Sequence, residues 1–210
     1  MFVVEGEKLV QEALDSGFRV ERVWRRDEIG EAAMQRISQL SSPSPVLAVV
    51  ARPDLPARMP PVGGLCLALD GVRDPGNLGT ILRTADWFGV RTVYLSEDCA
   101  ELFNPKVIQA SMGSVFRVHA VTADLPQLCA RFREAGLQVF GTFLDGEDLY
   151  RQTLPAEGLV VMGNEASGVR ESVAAGVDRR LLIPRYGDRG AESLNVGAAT
   201  AVVLSEFRRR

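Results

Sequence analysis

From Leu65 onward the chain alternates short, wholly apolar runs with segments of helical period, and this alternation confines it to one family of architectures. A strand that is apolar on both faces must be covered on both faces, which calls for a mainly parallel sheet with helices on either side. The expected strands are Leu65–Leu69, Val93–Leu95, Val115–Val121, Gln138–Thr142, Leu159–Met162 and Leu181–Ile183. Between and after them lie expected helices at Leu78–Phe88, Pro105–Met112, Leu125–Ala135 and Val196–Phe207. Ligands of such sheets bind beyond the carboxyl ends of the strands.

A smaller unit precedes this sheet. Gly6 to Ser16 sets Leu9, Val10, Ala13 and Leu14 at helical spacing, and Val20–Trp24 reads as a strand. Ile29–Leu40 reads as a second helix with Ala33, Ile37 and Leu40 on one face, and Val46–Val50 as a buried strand, giving an αβαβ block. The stretch Ala51–Gly64 then carries four prolines and two adjacent glycines. Proline has no amide donor and glycine weakens regular elements, so this stretch is expected to be a linker. The expected division is a small α/β domain at 1–52, a linker at 53–64 and a larger domain at 65–210.

The net charge is −3, which excludes a surface coated in phosphate-binding cations but allows a local basic patch. Arg117, Lys106 and the tail Phe207–Arg210 are candidates for such a patch. Cys66, Cys99 and Cys129 are far apart and odd in number, so neither a disulfide framework nor a metal site is expected, and each reads as a small buried residue. No run is long enough to span a bilayer and the start lacks a basic segment before an apolar one, so a cytoplasmic address is expected. The only histidine, His119, lies in an apolar run away from any polar loop.

Three segments at strand ends collect glycine and uncharged polar residues. They are Asp70–Gly79, leading into a helix that carries Arg83; Gly163–Gly168; and Pro184–Asn195, before the last helix. Glycines admit a ligand close to the backbone, and helix N-termini offer free amides. The chain has no GxxxxGK[ST], no GxGxxG and no GxSxG, which removes the P-loop, the nicotinamide fingerprint and the nucleophile elbow.

The runs DPGNLGTILRTADWFG, LVVMGNEASGV and LLIPRYGDRGAESLNVGAATAVVLSEF, in that order and separation, resemble the three motifs of the SpoU (TrmH) family of RNA ribose 2′-O-methyltransferases. The resemblance covers Leu65 to Phe207; FVVEGEKLVQEAL and VLAVV resemble the small RNA-binding domain of many rRNA-modifying members. It implies a SPOUT-type α/β fold whose C-terminal segment forms a deep trefoil knot, a homodimer, S-adenosylmethionine as cofactor, no metal, and structured RNA as substrate, ribosomal RNA before tRNA. By the same resemblance Arg83 is the central catalytic residue, and Asn77 positions it or the substrate. Glu165 supports the site geometry, Ser193 contacts the RNA, and Asn195 bonds across the site. Cofactor contacts, largely through backbone, fall to Thr142, Gly163, Asn164, Ile183 and Leu194.

The residues allow plainer roles beside these. Asn77 and Ser193 are natural helix caps, and Glu165 is a carboxylate able to hold Arg83 in place. An arginine side chain has a pKa of about 12.5–13.8, so Arg83 suits a phosphate clamp better than a proton acceptor. Two other functions compete with the enzyme: a non-catalytic RNA-binding or ribosome-assembly factor on the same fold, and a nicotinamide-dependent oxidoreductase. Cofactor binding separates all three.

Overall fold

The first fifty residues spend their apolar side chains on a small antiparallel sheet. In the computed structural model, which describes residues 1–54, 64–187 and 192–209, this sheet comprises β1 (Phe2–Glu5), β2 (Val20–Arg25) and β3 (Val46–Val50), ordered β1-β3-β2. Helices α1 (Glu7–Asp15), α2 (Arg26–Ile29) and α3 (Glu31–Ile37) connect them. The αβαβ reading thus lacks β1, a strand of four residues that is too short to display a period. It also runs two helices together: Gly30, at φ 82°, ends α2 and starts α3. Ser38 and Gln39, expected in that helix, instead donate to the buried carboxylate of Glu5 at 2.6 and 2.7 Å.

The larger unit has the expected parallel architecture. It runs β4 (Leu65–Asp70), α4 (Pro75–Trp87), β5 (Thr92–Leu95), α5 (Pro105–Ser111), β6 (His119–Thr122), α6 (Leu125–Glu134) and β7 (Val139–Asp148). It continues through β8 (Gly158–Gly163), α7 (Glu171–Ala174), β9 (Arg179–Leu182) and α8 (Val196–Arg208). The six strands pair in parallel in the order β6-β5-β4-β8-β7-β9. Side chains alternate across β4: Leu65, Leu67 and Leu69 join the layer with α4 and α8, while Cys66 and Ala68 join the layer with α6. Burial pushes the thiols of Cys66 and Cys129 up to about 12 and about 11, as inert interior groups behave. Cys99 is only half-buried, and its Sγ donates to the Leu69 carbonyl at 3.2 Å.

Two further expectations are corrected. The strand expected over Val115–Val121 starts at His119, because Ser114–Phe116 forms a 3₁₀ turn. That turn is drawn aside by packing, since Val115 and Phe116 join a cluster shared with the N-terminal sheet. Strand β7 is longer than expected and bulged. Leu181 of β9 pairs with Thr142 and again with Glu147. Residues 143–146 pass against the β9 backbone so closely that a Cβ at Gly146 would lie 2.6 Å from the Leu181 carbonyl carbon. Arg180 is held in this passage by Asp145 at 2.6 Å and by the Phe143 ring at 3.7 Å.

The N-terminal unit is docked on the larger one through apolar contact. Phe2 stacks on Phe103 at 4.5 Å, Phe18 meets Phe116 edge-on at 5.2 Å, and Ile108 of α5 completes the cluster. Arg117 is no free phosphate contact: it bonds Asp86 at 2.8 Å and pairs with Glu12 of α1. Of the expected linker, residues 55–63 lie outside the described residues.

Helix α4 seats against α5 at Gly79, where a Cβ would lie 2.5 Å from that of Ala110 and 2.8 Å from the Val107 carbonyl oxygen. Gly79→Ala forces these helices apart and is expected to cost about 1–3 kcal/mol, the usual range for overpacking. Urea denaturation measures it, and a variant as stable as the parent contradicts the stated contact.

Candidate active site at the carboxyl edge

Strands β4 and β8 are neighbours at the centre of the sheet, and their last pair is Asp70 with Gly163. From there the chain leaves β4 towards β5 and β6, while β7 and β9 lie on the far side of β8. This is the point in an open parallel sheet where a crevice forms beyond the strand ends.

The segment after β4 enters α4 through a cap. The Asp74 carboxylate accepts from the Asn77 amide at 2.8 Å, and Pro75 fills the first helical position. Asp74, not Asn77, is therefore the cap, and the Asn77 side chain is available for other partners. Its Nδ2 donates to Glu165 Oε1 at 2.5 Å, and its Oδ1 accepts from Asn195 Nδ2 at 2.8 Å. Asn195 Oδ1 in turn caps α8, accepting from the amides of Gly197 and Ala198 at 2.9 and 3.2 Å. Ser193, the cap expected from residue type, is exposed and makes no hydrogen bond among the described residues. Residues 77, 165 and 195, far apart in the chain, thus meet in one directional series of hydrogen bonds.

Glu165 rides on a turn clasped to the first loop. Asn164 pairs with Gly168, its Nδ2 donates to the Gly71 carbonyl at 2.6 Å, and its Oδ1 accepts from the amides of Ala166 and Ser167 at 2.9 and 3.1 Å. Gly163 has no room for a side chain, since a Cβ would lie 2.3 Å from the Gly168 carbonyl carbon. Beneath the turn, Asp70 is buried and accepts from the backbone amide and Nε of Arg170, each at 2.7 Å. Arg170 also approaches Asp98 at 3.3 Å, and Asp98 pairs with Arg73 at 2.9 Å. No expectation from the sequence covers this group. Its signal was Asp70 itself, a lone carboxylate closing the apolar strand LCLALD and so in need of a buried cation.

Arg83 stands apart from the series. It lies on an exposed stripe of α4 with Thr80 and Trp87, and its guanidinium has no hydrogen bond or ion pair among the described residues. The carboxylate expected to hold it, Glu165, is engaged by Asn77. The residues expected to hold the cofactor lie within β7, at the ends of β8 and β9 and before α8. Thr142 is half-buried with its hydroxyl 3.5 Å from the Val161 carbonyl, Gly163 ends β8, Ile183 follows β9, and Leu194 is half-exposed beside Asn195. Thr142 pairs across the sheet with Leu181, two residues before Ile183. Residues 188–191 of the third polar segment lie outside the described residues.

The model of the SpoU rRNA Methylase family matches residues 64–205. The chain belongs to the SpoU family. Among curated SpoU relatives, a 23S rRNA (guanosine(2553)-2′-O)-methyltransferase of Bacillus subtilis is 32% identical over 99% of this chain and 88% of its own length. A 23S rRNA (guanosine-2′-O-)-methyltransferase of Neisseria meningitidis is 38% identical over 70% of this chain and 58% of its own length. Among solved structures, a protein of the TrmH family from Porphyromonas gingivalis superposes with a TM-score of 0.88 at 43% identity, covering 99% of this chain and 89% of that one. An rRNA methyltransferase of Sinorhizobium meliloti with AdoMet bound gives 0.87 at 32% identity, covering 99% and 86%.

Two outcomes follow for this SpoU chain. In Asn77→Asp a second carboxylate faces Glu165, so stability is expected to fall by on the order of 1 kcal/mol, an exposed contact being screened. Adding Glu165→Gln restores it, because the new amide donates where Asn77 donated; a double variant no more stable than Asn77→Asp refutes the directional series. The Asp98 carboxyl is held below its ordinary range by the Ser96 hydroxyl first and by Arg73 next. Its stabilising effect is therefore complete above the unfolded value of about 3.9 and fades as pH falls through the lower folded value. Acid titration of folding should show a shallower loss for Asp98→Asn than for the parent below about pH 4.

Proposed function

We propose that this chain transfers the methyl group of S-adenosylmethionine to a ribose 2′-hydroxyl of ribosomal RNA. The observation that carries the reading is the meeting of Asn77, Glu165 and Asn195 at the carboxyl edge, with Arg83 on the same helix as Asn77 and unengaged among the described residues. When bound, S-adenosylmethionine supplies a methyl group on a positively charged sulfur, open to attack by an oxygen. The work left to the protein is to orient that oxygen and ease the loss of its proton. The Arg83 fork binds a backbone phosphate in two-point geometry and faces the negative charge that grows on the attacking oxygen. Asn77 and Asn195 fix the start of α4 and of α8 beside it. Ser193 reaches the RNA from the segment before α8. Thr142, Gly163, Asn164, Ile183 and Leu194 surround the cofactor.

Ribosomal RNA is preferred to tRNA because the two curated relatives above are named for 23S rRNA. We assign the RNA-gripping role to residues 1–52, where Arg22 on β2 lies over the Trp24 ring at 5.3 Å, a pairing of cation and aromatic suited to phosphate and base. A trefoil knot fits the passage of residues 143–146 against β9. A homodimer fits the 85% exposure of Trp87 on α4. No helix among the described residues is long and apolar enough to cross a membrane, and we place the protein with its substrate in the cytoplasm.

Calorimetry with S-adenosylmethionine should give a heat of binding, and labelled cofactor should mark a 2′-oxygen in ribosomal RNA from a strain lacking the gene. Arg83→Ala is expected to lower methyl transfer about a hundredfold or more while leaving cofactor binding intact. Unchanged transfer removes Arg83 from the mechanism; absent cofactor binding by the parent favours the non-catalytic factor.

A further inference from the structure

The Asp70–Arg170 pair has no part in the roles assigned above, and its construction is unusual. Asp70 closes a strand whose every residue is buried, and its side chain is fully shielded from solvent. Burying a carboxylate is costly unless it is paired and hydrogen-bonded, so a carboxylate at this depth commits its partner strongly. Arg170 supplies both requirements at once, through its backbone amide and Nε at 2.7 Å, with Nη2 also against Oδ1. Arg170 also caps the short α7 and lies two residues beyond Gly168, where the Glu165 turn ends. The other end of that turn is tied by Asn164 to Gly71, the residue after Asp70. The turn is thus fixed at both ends to the last residue of β4 and its neighbour. From it Glu165 reaches Asn77, and through Asn77 the start of α8.

We propose that Asp70 and Arg170 are positioning residues for methyl transfer, which set the turn so that the Glu165 carboxylate meets Asn77. The proposal rests on the methyltransferase reading, and neither residue touches substrate or cofactor. Rigidity follows from the geometry: a fork of three donors on one shielded carboxylate fixes Arg170 in direction as well as distance. A shift of the turn by an ångström would break the 2.5 Å contact of Glu165 and release the Asn77 amide to rotate.

The test compares the parent with Arg170→Met, with Asp70→Asn and with both together. Arg170→Met leaves Asp70 buried and unpaired, so it loses stability and activity alike. The double variant has no unpaired charge and keeps an acceptor for the amide of residue 170, so its melting temperature should return close to the parent value. Its kcat should remain about tenfold to a hundredfold low, the scale of a small misplacement at a reacting centre. Its KM for S-adenosylmethionine should rise no more than a few-fold, since Thr142, Ile183 and Leu194 are untouched and Asn164 keeps its own tie to Gly71. The side-chain amide resonances of Asn77 and Asn195, read by NMR without cofactor, should move in the double variant. If activity recovers together with stability, or if these resonances stay in place, the pair is merely structural and the proposal fails. If Asp70→Asn does not fold, Arg170→Lys serves instead: it keeps the charge but not the fork, and full kcat in it overturns the proposal. A parent inactive on RNA would instead refute the methyltransferase reading, and the resonances would still decide whether the pair positions Asn77.

Discussion

Glu165 imposes a direction on the whole carboxyl edge. A carboxylate only accepts, so Asn77 must offer it Nδ2 and is left with Oδ1 on its other side. Asn195 must then present Nδ2 to that oxygen, and its own Oδ1 is left for the free amides of α8. Each amide has one orientation that satisfies both neighbours, and the series ends on a helix terminus that needed an acceptor in any case. Three backbone segments separated by 88 and 118 residues are thereby held in one arrangement. An arginine on the surface of α4 acquires a defined position relative to the strand ends because α4 itself is fixed at its first turn.

The fold prepares this meeting. A parallel sheet brings all its strand ends to one edge, and the order β6-β5-β4-β8-β7-β9 puts the loops after β4 and β8 side by side. Close approach does the rest. Gly163 has no side chain to keep the Glu165 turn away from β8, and Gly197 lets α8 begin against Thr80 of α4, where a Cβ would sit 3.2 Å away. The docked N-terminal unit adds a second surface in fixed relation to the first, through Phe2, Phe18, Phe103 and Phe116.

The parallel sheet was legible because Leu65–Leu69 and Leu159–Met162 are apolar at every position, a pattern with few other uses. The site was legible as three polar segments, and the family motifs named Asn77, Arg83, Glu165, Ser193 and Asn195. Which side chain meets which was not legible. Asn77 is a good cap by residue type, yet Asp74, three residues earlier, precedes a proline and takes that place. Glu165 suits Arg83 by opposite charge, but its carboxylate is bonded by the Asn77 amide. Arg117 reads as a phosphate ligand until Glu12, over a hundred residues away, is found beside it. In each case the deciding partner comes from a distant segment, and sequence spacing carries no information about it. The passage of β7 against β9 is hidden for the same reason.

The convergence at the carboxyl edge is tested most directly by a crystal structure with S-adenosylmethionine and a short RNA bound. Glu165, Asn77 and Asn195 should remain joined in it, with the donor methyl between that series and a ribose 2′-oxygen whose phosphate is held by Arg83. A cofactor bound elsewhere on the sheet, or these side chains parted on separate faces, would contradict it.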